Sequence, residues 1–181
     1  WLDLDKTNDH IDISQPQLLH NFSEEDISSG YAILNFSNGE SRHLGMENMQ
    51  FGSKPLKAEK GSALVYTKED IRTYPDLLLT SWPEMGEAKQ ITNVNPQAED
   101  FKWGKGKIVQ WERNDKEHKG MLFFPDDWGP FEKYPMIVNI YEIRSNSLHN
   151  YVIPSPRSPY NLTNYIQQGF FIFQPDIVYR T

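Results

Sequence analysis

Polar and apolar positions along the chain follow two regimes. As far as Pro125, short apolar stretches are separated by turn signals about every ten residues. Tyr31 to Phe36 alternate weakly, Asn38-Gly39 is a hairpin-turn dipeptide, and a second strand follows it. Lys60-Gly61 turns into the extended Ala63-Leu64-Val65-Tyr66. "PDLLLTSWPEMGEAKQIT" predicts two more strands, with Pro83 and Gly86 bracketing their turn, and "DFKWGKGKIVQWERNDKEHKGMLFFP" continues the pattern. Such spacing predicts antiparallel β structure of the sandwich, barrel or propeller kind. The first thirty residues carry less signal. "WLDLDKTND" reads as a strand and a turn, and Ser23 with the acidic residues after it is a short helix-start signal.

Beyond the linker-like "DDWGPFEKYP" the character changes. "MIVNIY" (136–141) is apolar with little alternation, the pattern of a strand covered on both faces of a parallel sheet. "NLTNYIQQG" sets Leu162, Tyr165 and Ile166 on one face, which predicts a single helix over 161–168 with Gly169 as its stop. "FFIFQPD" reads as a second buried strand, and strand, helix, strand begins an α/β series. The chain therefore reads as β-rich and antiparallel first and α/β last. Its start at Trp1 and its end soon after the second buried strand lead us to expect a piece of a longer protein, with the second fold incomplete.

Composition narrows the function classes. The chain has 181 residues, enough to bury a sizeable core. A net charge of -7 and the absence of any Lys/Arg cluster disfavour a nucleic-acid partner. Without cysteine there is no disulfide and no thiolate metal site. No apolar run approaches the length of a membrane span.

Candidate chemistry is sparse. A Gly-x-Ser-x-Gly elbow, a phosphate loop and a dinucleotide fingerprint are all missing, and Gly104-x-Gly106 reads as a turn. His10, His20, His43, His118 and His149 lack metal-ligand spacing and read as surface or loop residues, so neither a metal nor another cofactor is expected. Asp126-Asp127 reads as a solvated loop, with a cation site as the alternative. Asn21, Asn35 and Asn161 head N-x-[ST] sequons, which carry meaning only on a eukaryotic secretory route. The tryptophans and tyrosines read as sheet core, with a sugar- or peptide-binding platform as the alternative.

Taken in order, "PDLLLTSW" with "AKQITNVNPQAEDFKWGKGKIVQW" (76–111), "KGMLFFPDDWGPFEKYPMIVNIYE" (119–142) and "GFFIFQPDIVY" (169–179) resemble the prolyl oligopeptidase family of serine peptidases, in particular a bacterial branch similar to dipeptidyl peptidases. The resemblance implies that residues 1–109 are the C-terminal part of a β-propeller. It implies that residues 110–181 are the first strands of a truncated α/β-hydrolase domain. Under it the Ser, Asp and His of the triad fall beyond Thr181, so the isolated chain is expected to be inactive. The parent would hydrolyse short peptides through an acyl-enzyme, with a periplasmic or secreted location favoured. Tyr141 matches the family tyrosine whose hydroxyl stabilises the oxyanion; read by itself it is equally a buried strand-end tyrosine with a satisfied hydroxyl. Glu142 is the candidate for binding the substrate amine. Where relatives have a Gly-rich turn this chain has Glu142-Ile143-Arg144-Ser145, a departure that bears on both residues. An esterase of the same fold and a non-catalytic peptide- or carbohydrate-binding module are the competing functions. The incomplete sheet is expected to self-associate, or to fold back on the chain, through residues about 136–142 and 170–175.

Overall fold

The hairpin predicted around Asn38-Gly39 is present. β1 (Gln17–Phe22), β2 (Ser29–Asn35) and β3 (Glu40–Glu47) form an antiparallel sheet in that order. Gly39 sits at φ +72°, a left-handed conformation that a Cβ disfavours. The computed structural model describes Leu2, Leu4 and residues 10–177; the strand and turn expected in "WLDLDKTND" lie almost wholly outside the described residues. No helix starts at Ser23. Asp26 Oδ1 accepts from Ser28 N at 3.0 Å and from Ser28 Oγ at 2.8 Å, and Ser23 N donates to Ser28 O at 2.9 Å. The short polar side chains of this stretch serve the β1–β2 turn in preference to a helix.

A second sheet follows from β4 (Gln50–Phe51), β5 (Leu56–Lys57), β6 (Ala63–Glu69), β7 (Leu77–Ser81) and β8 (Lys89–Gln90), ordered β4-β6-β7-β8 with β5 also paired to β6. Both sheets belong to one compact unit, Trp1–Glu69 with Tyr74–Val94. Its core is Leu18, Tyr31, Ile33 and Phe51, with Leu44, Tyr66, Trp82 and Met85 packed against it. The Tyr31 ring meets Phe51 edge-on at 5.1 Å and Tyr66 at 5.4 Å, so the aromatics here are core and not platform. His20 is not a loop residue: it lies on β1 against Tyr31, and burial pushes its pKa down. His43 and His118 also sit on strands.

The Tyr31 hydroxyl donates to Gly52 O at 2.5 Å, and burial pushes the phenol pKa up. Tyr31→Phe keeps the ring and leaves that carbonyl without its donor. We expect a stability loss of about 1–3 kcal/mol in urea unfolding with an unchanged m value. An unchanged midpoint would mean that water replaces the hydroxyl at no cost.

The other unit is Asp70–Thr73 with Asn95–Thr181. β9 (Gly104–Glu112) and β10 (Glu117–Pro125) form a long antiparallel hairpin. β11 (Met136–Val138), α1 (Leu162–Gln167) and β12 (Phe171–Pro175) follow, giving the sheet order β11-β12-β10-β9. β12 is antiparallel to β10 but parallel to β11, which makes β11-α1-β12 the strand-helix-strand step read from the sequence. The helix lies where expected. Asn161 caps it by accepting from Asn164 N at 2.9 Å, and Gly169 ends it at φ +87°.

Two expectations are corrected in this unit. First, Gly104 and Gly106 form no turn; both lie inside β9. A Cβ on Gly104 would stand 2.5 Å from Phe124 O, and one on Gly106 2.8 Å from the Phe123 ring, so close packing demands glycine at both. Second, β11 ends at Val138, three residues before Tyr141. As expected of an incomplete sheet, β11 and β12 keep an open apolar face and are covered on the other face only. Phe123, Ile172 and Ile137 align across the strands on the side where Ile166 and Leu148 are buried. The other side carries Trp111, Phe124, Val138, Phe171 and Phe173, all half-buried or exposed. Residues 109 and 110, between which the resemblance puts the domain boundary, are neighbours within β9.

Candidate oxyanion site beyond strand β11

In sheets with parallel strands, ligand sites form outside the carboxyl ends of the strands. β11 runs parallel to β12, and Tyr141 lies three residues past its carboxyl end. Asn139 N donates to Phe173 O at 2.9 Å, so pairing with β12 continues one residue beyond the strand and then the chain departs. Tyr141 is 61% exposed, which overturns the alternative of a buried strand-end tyrosine. Glu142 beside it is exposed too, and its carbonyl accepts from Ile177 N at 3.4 Å.

The segment after Tyr141 has no glycine, yet it turns sharply into a short 3-10 helix, Ser145–Ser147. A carboxylate takes over the part that a Gly-rich turn would play. Asp176 Oδ1 accepts from Arg144 N at 2.8 Å and from Ser145 N at 3.0 Å. Both residues are more than thirty positions away in sequence. Asp176 did not stand out in the sequence; the only signal was its place, an acidic residue at the end of an apolar strand.

Other candidate residues resolve into structural roles. Asp126 pairs with Arg72 and, at 3.7 Å, with Lys105; Asp127 pairs with Lys102 at 3.0 Å, whose hydrogen bond lowers the Asp127 pKa. The two carboxylates are thus matched by cations of the chain itself. Asn161 is buried as the helix cap, with Nδ2 donating to Ile153 O at 2.7 Å, so its sequon is closed in the folded chain. Among the described residues, no cluster of three His, Asp or Glu side chains is placed to hold a metal, and no helix is long and apolar enough to cross a membrane. A cavity of about 530 Å³ opens beside Arg72, Trp103, Asp127 and Ile166, and neither Tyr141 nor Glu142 lines it.

No protein-family model matches the chain, and no curated protein sequence matches it significantly. Solved structures do share its fold. A putative dipeptidyl aminopeptidase IV from Bacteroides ovatus superposes with a TM-score of 0.64 at 15% identity, over 90% of this chain and 23% of that one. The AtxE2 isopeptidase gives 0.61 at 11% identity, over 90% and 24%. The acylaminoacyl peptidase of Pyrococcus horikoshii gives 0.59 at 20% identity, over 88% and 23%. These are peptidases of the prolyl oligopeptidase family, so the resemblance read from the sequence is borne out in the fold. The chain spans about a quarter of the length of the structures it matches.

Proposed function

We propose that this chain is the segment of a serine-type peptidase in which the last strands of a β-propeller lead into an α/β-hydrolase domain. The unit of β1–β8 supplies the propeller part, and β11-α1-β12 opens the hydrolase part. One observation carries the reading: an exposed tyrosine stands just past the carboxyl end of a strand in a parallel pair, where α/β enzymes place their ligand-facing groups. In that role Tyr141 donates to the oxygen that becomes negative when a nucleophile attacks a peptide carbonyl. Glu142, exposed next to it, is available to the substrate amine. The serine that attacks, and the Asp and His that activate it, lie outside this segment under the proposal.

The reading separates two preparations. The purified 181-residue chain is expected to turn over neither chromogenic dipeptides nor acetyl esters. The protein from the complete reading frame is expected to cleave the dipeptides and to be labelled by a fluorophosphonate. Fluorophosphonate-sensitive turnover by the short chain would refute its inactivity. A complete protein that neither cleaves nor labels would refute the peptidase. That second result would favour a non-catalytic binding module, a reading supported by the half-open aromatic face where Trp111 stacks on His118 at 5.7 Å and meets Phe173 at 5.7 Å. Cleavage of esters but not peptides would point to an esterase. We infer also that a second copy of the chain is a partner, through the exposed edge at β11.

A further inference from the structure

We propose that Asp176 is the positioning residue for Tyr141, holding the loop that aims its hydroxyl; the proposal rests on the oxyanion reading of Tyr141. The loop 139–145 is fixed at both ends by one strand and its extension. At the near end Asn139 N donates to Phe173 O. At the far end the Asp176 carboxylate takes the N–H groups of Arg144 and Ser145, and Ile177 N reaches Glu142 O. Tyr141 lies between the two anchors, two residues from one and three from the other. Asp176 is itself fixed, because its N–H donates to Lys119 O at 3.0 Å, next to the paired residues of β10 and β12. Ser145 is buried, so water does not compete for its N–H.

Two features set this carboxylate apart from an ordinary turn. Both N–H groups converge on a single oxygen, and bonds to an ionised acceptor are stronger than neutral ones. Among the described residues the second oxygen, Oδ2, is buried without a hydrogen-bond partner. A buried carboxylate oxygen left unmatched is costly, and it is tolerated where the rest of the group is committed to a geometry that matters. The loop has Glu142-Ile143-Arg144-Ser145 and no glycine, and none of these four residues is at positive φ, so no left-handed turn holds it. The constraint comes from Asp176 instead.

The test starts with amide hydrogen exchange by NMR on the 181-residue chain, with fluorotyrosine at position 141. Asp176→Ala is expected to speed exchange at Arg144 and Ser145 about tenfold or more, and to broaden the fluorine line, while Met121 and Phe123 in β10 stay protected. Asp176→Asn keeps an acceptor oxygen in place and is expected to restore most of the protection. Should Asp176→Ala fail to fold, Asp176→Glu takes its place, since it keeps the charge but displaces the oxygens. Unchanged exchange at Arg144 and Ser145, or an equal rise throughout the unit, would overturn the proposal. In the complete-frame protein, Asp176→Ala is expected to lower kcat with KM little changed, and to have no further effect once Tyr141 is phenylalanine. An equal loss in both backgrounds would show that Asp176 supports the fold and not the tyrosine. Full activity of Tyr141→Phe would instead remove the oxyanion reading, and the exchange result would stand without it.

Discussion

Under the proposed function, Tyr141→Phe in the complete-frame protein is expected to lower kcat by about a hundredfold to a thousandfold, the range for loss of one oxyanion donor. The substitution removes one oxygen and leaves the ring. Tyr141 is 61% exposed, so little packing is lost and the fold is spared. In the proposed role the hydroxyl meets its acceptor best when charge has built up on the carbonyl oxygen, so the loss belongs to the transition state and KM should change little. Steady-state kinetics on a chromogenic dipeptide decide the matter. A kcat within about twofold of the wild type would exclude an oxyanion donor of the usual strength at this position. A rise in KM at constant kcat would reassign Tyr141 to substrate binding.

The elements most legible in the sequence are those that close on their own neighbours. Asn38-Gly39 marks a hairpin because the turn needs a left-handed residue, and Gly39 supplies it at φ +72°. Leu162, Tyr165 and Ile166 mark α1 by their shared face and Gly169 marks its stop, because both signals act within a turn or two of the helix. What depends on distant packing was not legible. The run Met136–Tyr141 looks doubly covered, yet hydrophobicity says only that a residue gains by burial, not that a neighbour arrives to bury it. Gly104 and Gly106 look like a turn because their reason, Phe124 O and the Phe123 ring, lies across the hairpin. The site divides the same way. Tyr141 and Glu142 stood out within a motif. Asp176 did not, because its partners are backbone N–H groups, and no sequence marks where a backbone amide will point.

The unpaired edge of the sheet β11-β12-β10-β9 carries the other large expectation, which is self-association. Among the described residues β11 pairs with β12 alone, so its outer edge presents free strand positions. Met136 is 52% exposed, Val138 50% and Ile140 65%, and Phe171 and Phe173 lie on the same open face as Met136 and Val138. Burying a fully exposed Ile or Phe side chain gains roughly 1.5–3 kcal/mol, and Met136, Val138 and Ile140 are about half exposed, so the residues of both copies together have to offset the entropy lost by joining them. In the association we expect, a second copy meets this edge with the same apolar residues, and a two-fold pairing of β11 with its counterpart would bury both sets. Light scattering of the 181-residue chain is expected to show an apparent mass that rises with concentration. Ile140→Lys puts a charge into the contact and should weaken it about tenfold or more in Kd. Ile140 is already exposed in the single chain, so its replacement should leave the unfolding midpoint unchanged and separate association from stability. A wild-type chain that stays monomeric at every concentration would show that the edge is guarded, and the aromatic face with it.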